Sequence, residues 1–274
     1  MINISQLEVP KSSIYATQAL EILAQVDPDF RDLNDVVMQD PILASTILRY
    51  ANSPLNRRAS EISNVPVAIT LLGVKSLRSA IVTATLHSLV PADSSVCAAI
   101  LDHTLNVAVA SRLIAQVVCP LQEHDLEFLG LVHDLGMLVL ATNFSTQYAN
   151  ILSISNLQNI AIDLIETNEF GVSHDEVGVF IARTYRLPKA DIELLAGFHD
   201  EKILSSNNGG INRDINILYL AHLLLNELRS TGLRIIETLP LTLQQLECTL
   251  GLTKDSIDSI RSQLNDHSNG SHQS

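Results

Sequence analysis

Leu129–Leu140 reads LGLVHDLGMLVL, an apolar run broken by a His-Asp doublet, His133-Asp134, and by Gly136. Burying a carboxylate beside an imidazole in such a stretch is costly unless something compensates both groups. A metal ion would do so, and so would a closed hydrogen-bond network. Two further apolar stretches carry a histidine in the same manner. Ile100, His103, Val107, Ala110 and Ile114 are spaced 3, 4, 3, 4, and Ile215, Leu218, His222 and Leu225 are spaced 3, 4, 3. Leu129, His133, Gly136 and Leu140 follow the same rule with 4, 3, 4. These are the spacings of a buried helix face, so each stripe points one histidine at the core. On a continuous helix Asp134 is turned about 100° from His133, and both flank one site only if it lies between their directions.

Imidazole nitrogen and carboxylate oxygen are ligands of Zn, Fe, Mn and Ni. His103, His133, Asp134 and His222 therefore make a four-ligand set for a divalent metal ion. The same side chains would also serve as hydrogen-bonded core groups that fix helix register, and the residues alone leave both readings open. His174 lies in a first helical turn, where a polar residue needs no further reason. His199, beside Asp200, lies in a last turn, where a cationic side chain complements the helix dipole. Nothing resembles a phosphate-cradling glycine loop, a GxSxG elbow or a CxxC zinc ribbon.

The elements that must position these groups are helices. Tyr15–Val26 reads as amphipathic and stops at Asp27-Pro28, and a short helix over Asp32–Gln39 follows. Asp40-Pro41 is a start signal, with Asp as N-cap and Pro in the first turn. Two helices hinged at Gly73, Pro66–Leu72 and Lys75–Leu89, complete the first part. Pro91-Ala92-Asp93 marks a boundary, after which one long helix spans about Ser94–Val118. The doublet is expected on a single helix from Asp125 to Thr142. Further helices fit Ser145–Ser153, Leu157–Glu169, the capping box at Ser173–Glu176 up to Arg186, Pro188–His199, Asp214–Ser230, the capping box at Thr242–Gln245, and Thr253–Leu264. The first ten residues are expected to be an extended arm, Ser205–Asn212 a flexible loop, and residues 267–274 a disordered tail. Gly136 and Gly178 would let helices approach closely near the doublet.

The fold expected is therefore all-α: an N-terminal helical subdomain over 1–90 and a helical core over 91–266. Hydrophobic residues make up 46% of the 274-residue chain, with few prolines and glycines and little strand-like alternation. Unbroken apolar runs fall short of a membrane span, and no secretory signal opens the chain. Cys97, Cys119 and Cys248 lie far apart, as suits thiols in a reducing cytoplasm. The net charge of −13 is uneven: residues 1–90 carry 7 basic and 8 acidic side chains, and residues 91–274 carry 10 and 22. That balance excludes bulk nucleic-acid binding. It leaves Arg49, Arg57, Arg58, Lys75 and Arg78 as a local basic group for an acidic partner.

Several segments together resemble the HDOD domain. Asp40-Pro41, Leu48-Arg49-Tyr50-Ala51-Asn52-Ser53, Ile62–Val65, Ala68–Gly73 and Leu77-Arg78 are similar to its first half. Leu131–Gly136 with Leu138–Leu140 resembles its signature doublet, and His174–Gly178 with Leu187-Pro188 resembles a later segment. The resemblance implies a multi-helix bundle of the broad HD superfamily, which is found mainly in bacterial signalling proteins. That superfamily includes metal-dependent phosphohydrolases whose ligands are a His, the His-Asp doublet and a late Asp. His103, His133 and Asp134 would take the first three places, and His222 stands at the late position. His174, His199 and Asp200 would correspond to the additional ligands of two-metal HD-GYP relatives, but the GYP segment itself is missing. HDOD domains are generally regulators without turnover. The expectation is thus a cytoplasmic signalling protein that acts by contact with a protein partner. The alternative is a metal-dependent phosphohydrolase acting on a nucleotide or phosphomonoester.

Overall fold

A computed structural model describes residues 1–8, 13–56, 60–184, 187–198, 209–228, 234–236 and 241–271. Among the described residues helix is the only regular secondary structure, with no strand. They form two compact units, one of Pro10–Val90 and one of Met1–Val9 with Pro91–Ser274.

The smaller unit contains α1 (Ile14–Leu23), α2 (Phe30–Val37), α3 (Pro41–Ala51) and α4 (Val65–Leu89). Each start is fixed by a side chain that satisfies otherwise orphaned backbone N–H groups. Asp40 accepts from the N–H groups of Ile42 and Leu43 at 3.0 and 3.1 Å, and Ser13 Oγ donates to its other oxygen at 2.6 Å. Asn52 closes the loop after α3 by exchanging two hydrogen bonds with the backbone of Ile62, at 2.7 and 2.8 Å. Gly73 is the hinge in α4, with a φ of 69° that an L-residue rarely adopts. Leu33, Val37, Leu43, Ile47, Ala68, Ile69, Leu77 and Ile81 give this unit a core of its own.

In the larger unit α5 (Ser95–Val118) is the central helix. It packs against α6 (Glu123–Val132), α7 (Leu135–Asn143), α8 (Ser145–Gln158), α12 (Gly209–Leu228) and α14 (Lys254–Ser271). The remaining helices are α9 (Ile162–Phe170), α10 (His174–Thr184), α11 (Lys189–Gly197) and α13 (Leu243–Leu250). The capping boxes at Ser173/Glu176 and Thr242/Gln245 form as the sequence indicates.

Several boundaries differ from the sequence reading. The doublet helix is two helices, α6 and α7, and His133-Asp134 is the turn between them. Asn159 adopts φ 53° and ends α8 in the left-handed region, so one long α8 replaces the break expected after Ser153. The expected arm is a 3-10 turn over Ile4–Gln6 that belongs with the larger unit: Ile2 N–H donates to Phe170 O at 2.7 Å, and Glu8 exchanges two hydrogen bonds of 2.9 Å with the Asn143 amide. Gly209–Asn212, expected in a loop, open α12. The last helix continues past Leu264 to Ser271, so the polar run from His267 is helical that far, with His267 half-buried in electrostatic reach of Asp102. By length and composition α4 and α5 could cross a bilayer, although neither is an unbroken apolar run. Yet 50% and 78% of their most apolar windows are buried against protein, a pattern compatible with a soluble chain.

The approach of α7 to α10 is the tightest crossing near the doublet. A Cβ on Gly136 would lie 1.9 Å from His174 O and 2.6 Å from Gly178 N, whereas a Cβ on Gly178 would meet nothing nearer than 3.5 Å. Gly136→Ala is therefore expected to destabilise the fold by about 3 kcal/mol through overpacking. Gly178→Ala is expected to be neutral or slightly stabilising by helix propensity. Denaturant unfolding of the two variants checks the contrast.

Candidate metal centre

The break between α6 and α7 resolves the question of direction. Turned out of the helix, both members of the doublet reach one point, where α5 brings His103 and α12 brings His222. One ligand-type atom from each of His103, His133, Asp134 and His222 lies within 4.8 Å of all the others. All four are buried, to 3% exposure or less. Asp134 Oδ2 is 3.0 Å from His133 Nε2 and 3.6 Å from His103 Nε2, and His133 Nε2 is 2.8 Å from His222 Nε2. Phe198 covers the imidazoles of His133 and His222, with ring centroids 5.7 and 6.0 Å away.

The proton on His133 is assigned by its neighbour. Its Nδ1 lies 2.8 Å from Gly130 O, a carbonyl that only accepts, so Nδ1 carries a hydrogen. Its Nε2 faces a carboxylate oxygen of Asp134 at 3.0 Å. Neither oxygen of Asp134 and neither nitrogen of His103 makes a well-formed hydrogen bond. Buried polar atoms left unmatched at one point in this way suit a cation between them. Donors bound at about 2.1 Å in a tetrahedral site are about 3.4 Å apart, close to the separations found here. The backbone-anchored Nδ1–H of His133 is also the outer-shell contact that orients a metal-bound histidine. The residues fit a divalent metal ion.

Electrostatics agree. Burial pushes the Asp134 carboxyl up, but His133, His222 and His103 together hold it well below the ordinary carboxylate value. Burial takes His103 down to about 4 against the pull of Asp134, so this imidazole is neutral and able to donate a lone pair.

His174 does not join the cluster's ligand atoms. It is committed to a second buried group: its Nδ1 donates to Glu166 Oε2 at 2.6 Å, its backbone N–H reaches the same oxygen at 2.8 Å, and Tyr148 Oη donates to Glu166 Oε1. Burial works against charge on His174, but Glu166 and Asp175 raise its pKa well above 6.5. His199 and Asp200 lie outside the described residues. The sequence reading missed Glu166, Tyr148 and Phe198. For Glu166 a signal existed: Ile162, Glu166 and Phe170 share the four-residue spacing of a buried stripe, so an acid on that face required a partner.

The profile of the HDOD domain matches residues 9–201. The chain belongs to the HDOD family. His222 lies beyond that match, so the fourth member of the cluster comes from a segment outside it. In fold the chain is similar to an HDOD domain protein of unknown function from Geobacter sulfurreducens, with 22% identity and a TM-score of 0.71 over 95% of this chain and 93% of that one. It is similar to a protein provisionally named for signal transduction from Marinobacter aquaeolei VT8, with 20% identity and a TM-score of 0.70 over 98% of this chain and 60% of that one. It is also similar to a protein provisionally named a metal-dependent phosphohydrolase from Shewanella amazonensis SB2B, with 18% identity and a TM-score of 0.63 over 95% and 94%. At these identities the likeness carries the fold. No curated protein matches the sequence.

Removing the carboxylate of the second buried group leaves His174 without its counter-charge, so Glu166→Gln is expected to cost about 3–5 kcal/mol. The folded pKa of His174 lies above its ordinary 6.5. The contribution of the pair is therefore fully present below about pH 6.5 and is lost only as pH rises through the raised value. Unfolding curves of wild type and variant should stay separated across neutral pH and converge only above it.

Proposed function

We propose that this HDOD protein is a bacterial cytoplasmic regulator that acts through protein contacts, and that His103, His133, Asp134 and His222 hold a divalent ion without turning over a substrate. The observation that carries this reading is the composition and burial of the cluster. Three imidazoles and one carboxylate supply four protein donors, each buried to 3% exposure or less. A metal with its positions filled by protein is structural, whereas a hydrolytic metal keeps a position for water. The late place that hydrolytic HD relatives fill with Asp is His222 here, which removes one negative charge from the set. Fe, Mn, Zn and Ni all accept this donor set. When bound, such an ion would neutralise Asp134 and tie α5, the α6–α7 turn and α12 together. The name of the Marinobacter neighbour supports a signalling role; that of the Shewanella neighbour supports the alternative, a phosphohydrolase acting on a nucleotide or phosphomonoester.

Elemental analysis of protein purified without chelators, together with turnover assays on phosphomonoesters and nucleotides, separates these readings. The expected result is stoichiometric metal and no turnover. Chelation should lower stability by on the order of 3–4 kcal/mol where the ion had been in 100- to 1,000-fold excess over its dissociation constant. The Co(II)-loaded protein should show the intense visible bands of a four-coordinate site, and His222→Leu should lose them with the metal. Turnover abolished by Asp134→Ala would overturn the regulatory reading in favour of the hydrolase. A stability loss in His222→Leu, with no metal in the wild type, would instead leave the cluster as a hydrogen-bond network.

A further inference from the structure

Two side chains outside the ligand set tie the metal centre to α11. Phe198 caps the C-terminal end of that helix, where the last carbonyls have no partner within the helix. Tyr219 Oη donates to one of them, the carbonyl of Phe198, and the two rings pack with centroids 4.9 Å apart. Tyr219 is wholly buried, and a buried phenol needs such an acceptor. It stands one turn before His222 on α12, so the two share a face of that helix. The Phe198 ring lies edge-on to His133, with centroids 5.7 Å apart, and tilted against His222 at 6.0 Å. One hydrogen bond thus holds the ring that packs on two of the four ligand side chains.

The elements around the centre differ in how firmly they are held. From Leu126 to Ala141, through α6, the doublet turn and α7, every residue is buried. So is every residue from Ile215 to His222 on α12. By contrast α11 is nine residues long and buries only Leu195 and Gly197 before it reaches Phe198. Local openings of a fold are drawn from its least buried elements. The end of α11 is therefore the part of the surround that moves with least loss of packing. We propose that Tyr219 and Phe198 form a latch on the metal centre: Tyr219 pins the end of α11, Phe198 stays packed on His133 and His222, and a bound ion escapes only when the latch opens. The pair sets how long the ion is kept and leaves its coordination to the four ligands. The proposal deepens the reading that the cluster holds a divalent ion and rests on it.

Transfer of Co(II) from the loaded full chain to excess EDTA, followed by the visible bands, tests it. Tyr219→Phe keeps the ring and removes the hydrogen bond. It should bind stoichiometric Co(II) with unchanged bands and release it about tenfold faster, the rate equivalent of one buried hydrogen bond. Phe198→Leu keeps an apolar side chain without the ring; it should also release faster, and it carries the test if Tyr219→Phe does not fold. Tyr148→Phe is the control, since it removes a buried tyrosine hydrogen bond to Glu166 in the same unit. Its release should match that of the wild type. Equal release from wild type and Tyr219→Phe overturns the latch. An equal gain in Tyr148→Phe overturns it in favour of general stability. Loss of stoichiometric Co(II) or altered bands in Tyr219→Phe overturns it in favour of a role in ligand geometry. A wild type that binds no Co(II) overturns it together with the metal reading, which the other outcomes leave standing.

Discussion

Asp134 is a carboxylate with 1% of its surface exposed, set among three imidazoles. Ionising it there is tolerable only because His133, His222 and His103 stand around it. Those three arrive from different helices, so the charge fixes the course of α5, the α6–α7 turn and α12 at once. The turn itself follows from the same demand. A continuous helix would aim His133 and Asp134 about 100° apart. Breaking it at the doublet aligns them, and the bare backbone of Gly136 lets α10 close against α7 just beyond. Phe198 packs edge-on against His133 and tilted against His222, and this burial keeps the dielectric low and the electrostatics strong.

Between α9 and α10 the same chemistry is solved by other means. Glu166 is as deeply buried as Asp134, yet it accepts three hydrogen bonds, from Tyr148, the His174 ring and the His174 backbone. Its partner histidine holds the proton, and the pair is neutral as a unit. Around Asp134 the imidazole of His103 is pushed to the neutral form, and the His133 hydrogen is taken by a backbone carbonyl. One group closes on itself with protons, and the other leaves both Asp134 oxygens and both His103 nitrogens unmatched. That difference separates an internal ion pair from a metal centre, although both consist of histidine and carboxylate.

The sequence carries much of this. Apolar stripes interrupted by His103, His133 and His222 are legible because a helix face repeats at three and four residues. Start signals such as Asp40-Pro41 and Ser94 act locally and can be read locally. The break at His133-Asp134 is not legible, since no glycine or proline marks it and the flanking residues favour a helix. What breaks it is a demand from other helices, which a local pattern does not contain. Asn159 ends α8 by the left-handed conformation that Asn tolerates, a weak signal beside Gln158 and Ile160, neither of which breaks a helix. The role of Glu166 becomes visible only when the partner eight residues on is folded against it. The place of His174 is not legible for the same reason: its spacing from the doublet says nothing about which carboxylate it will choose.

The attachment of residues 1–8 to the larger unit has a consequence for synthesis. Residues 1–8 have partners at Asn143 and Phe170, and the helices of Pro10–Val90 lie between them in sequence. At about 5–20 residues per second, residues 1–8 wait roughly ten to thirty seconds for Phe170 to follow them. During that interval the inserted helices have a core of their own to form around. The larger unit therefore gains its contacts with residues 1–8 only after Phe170 has been made.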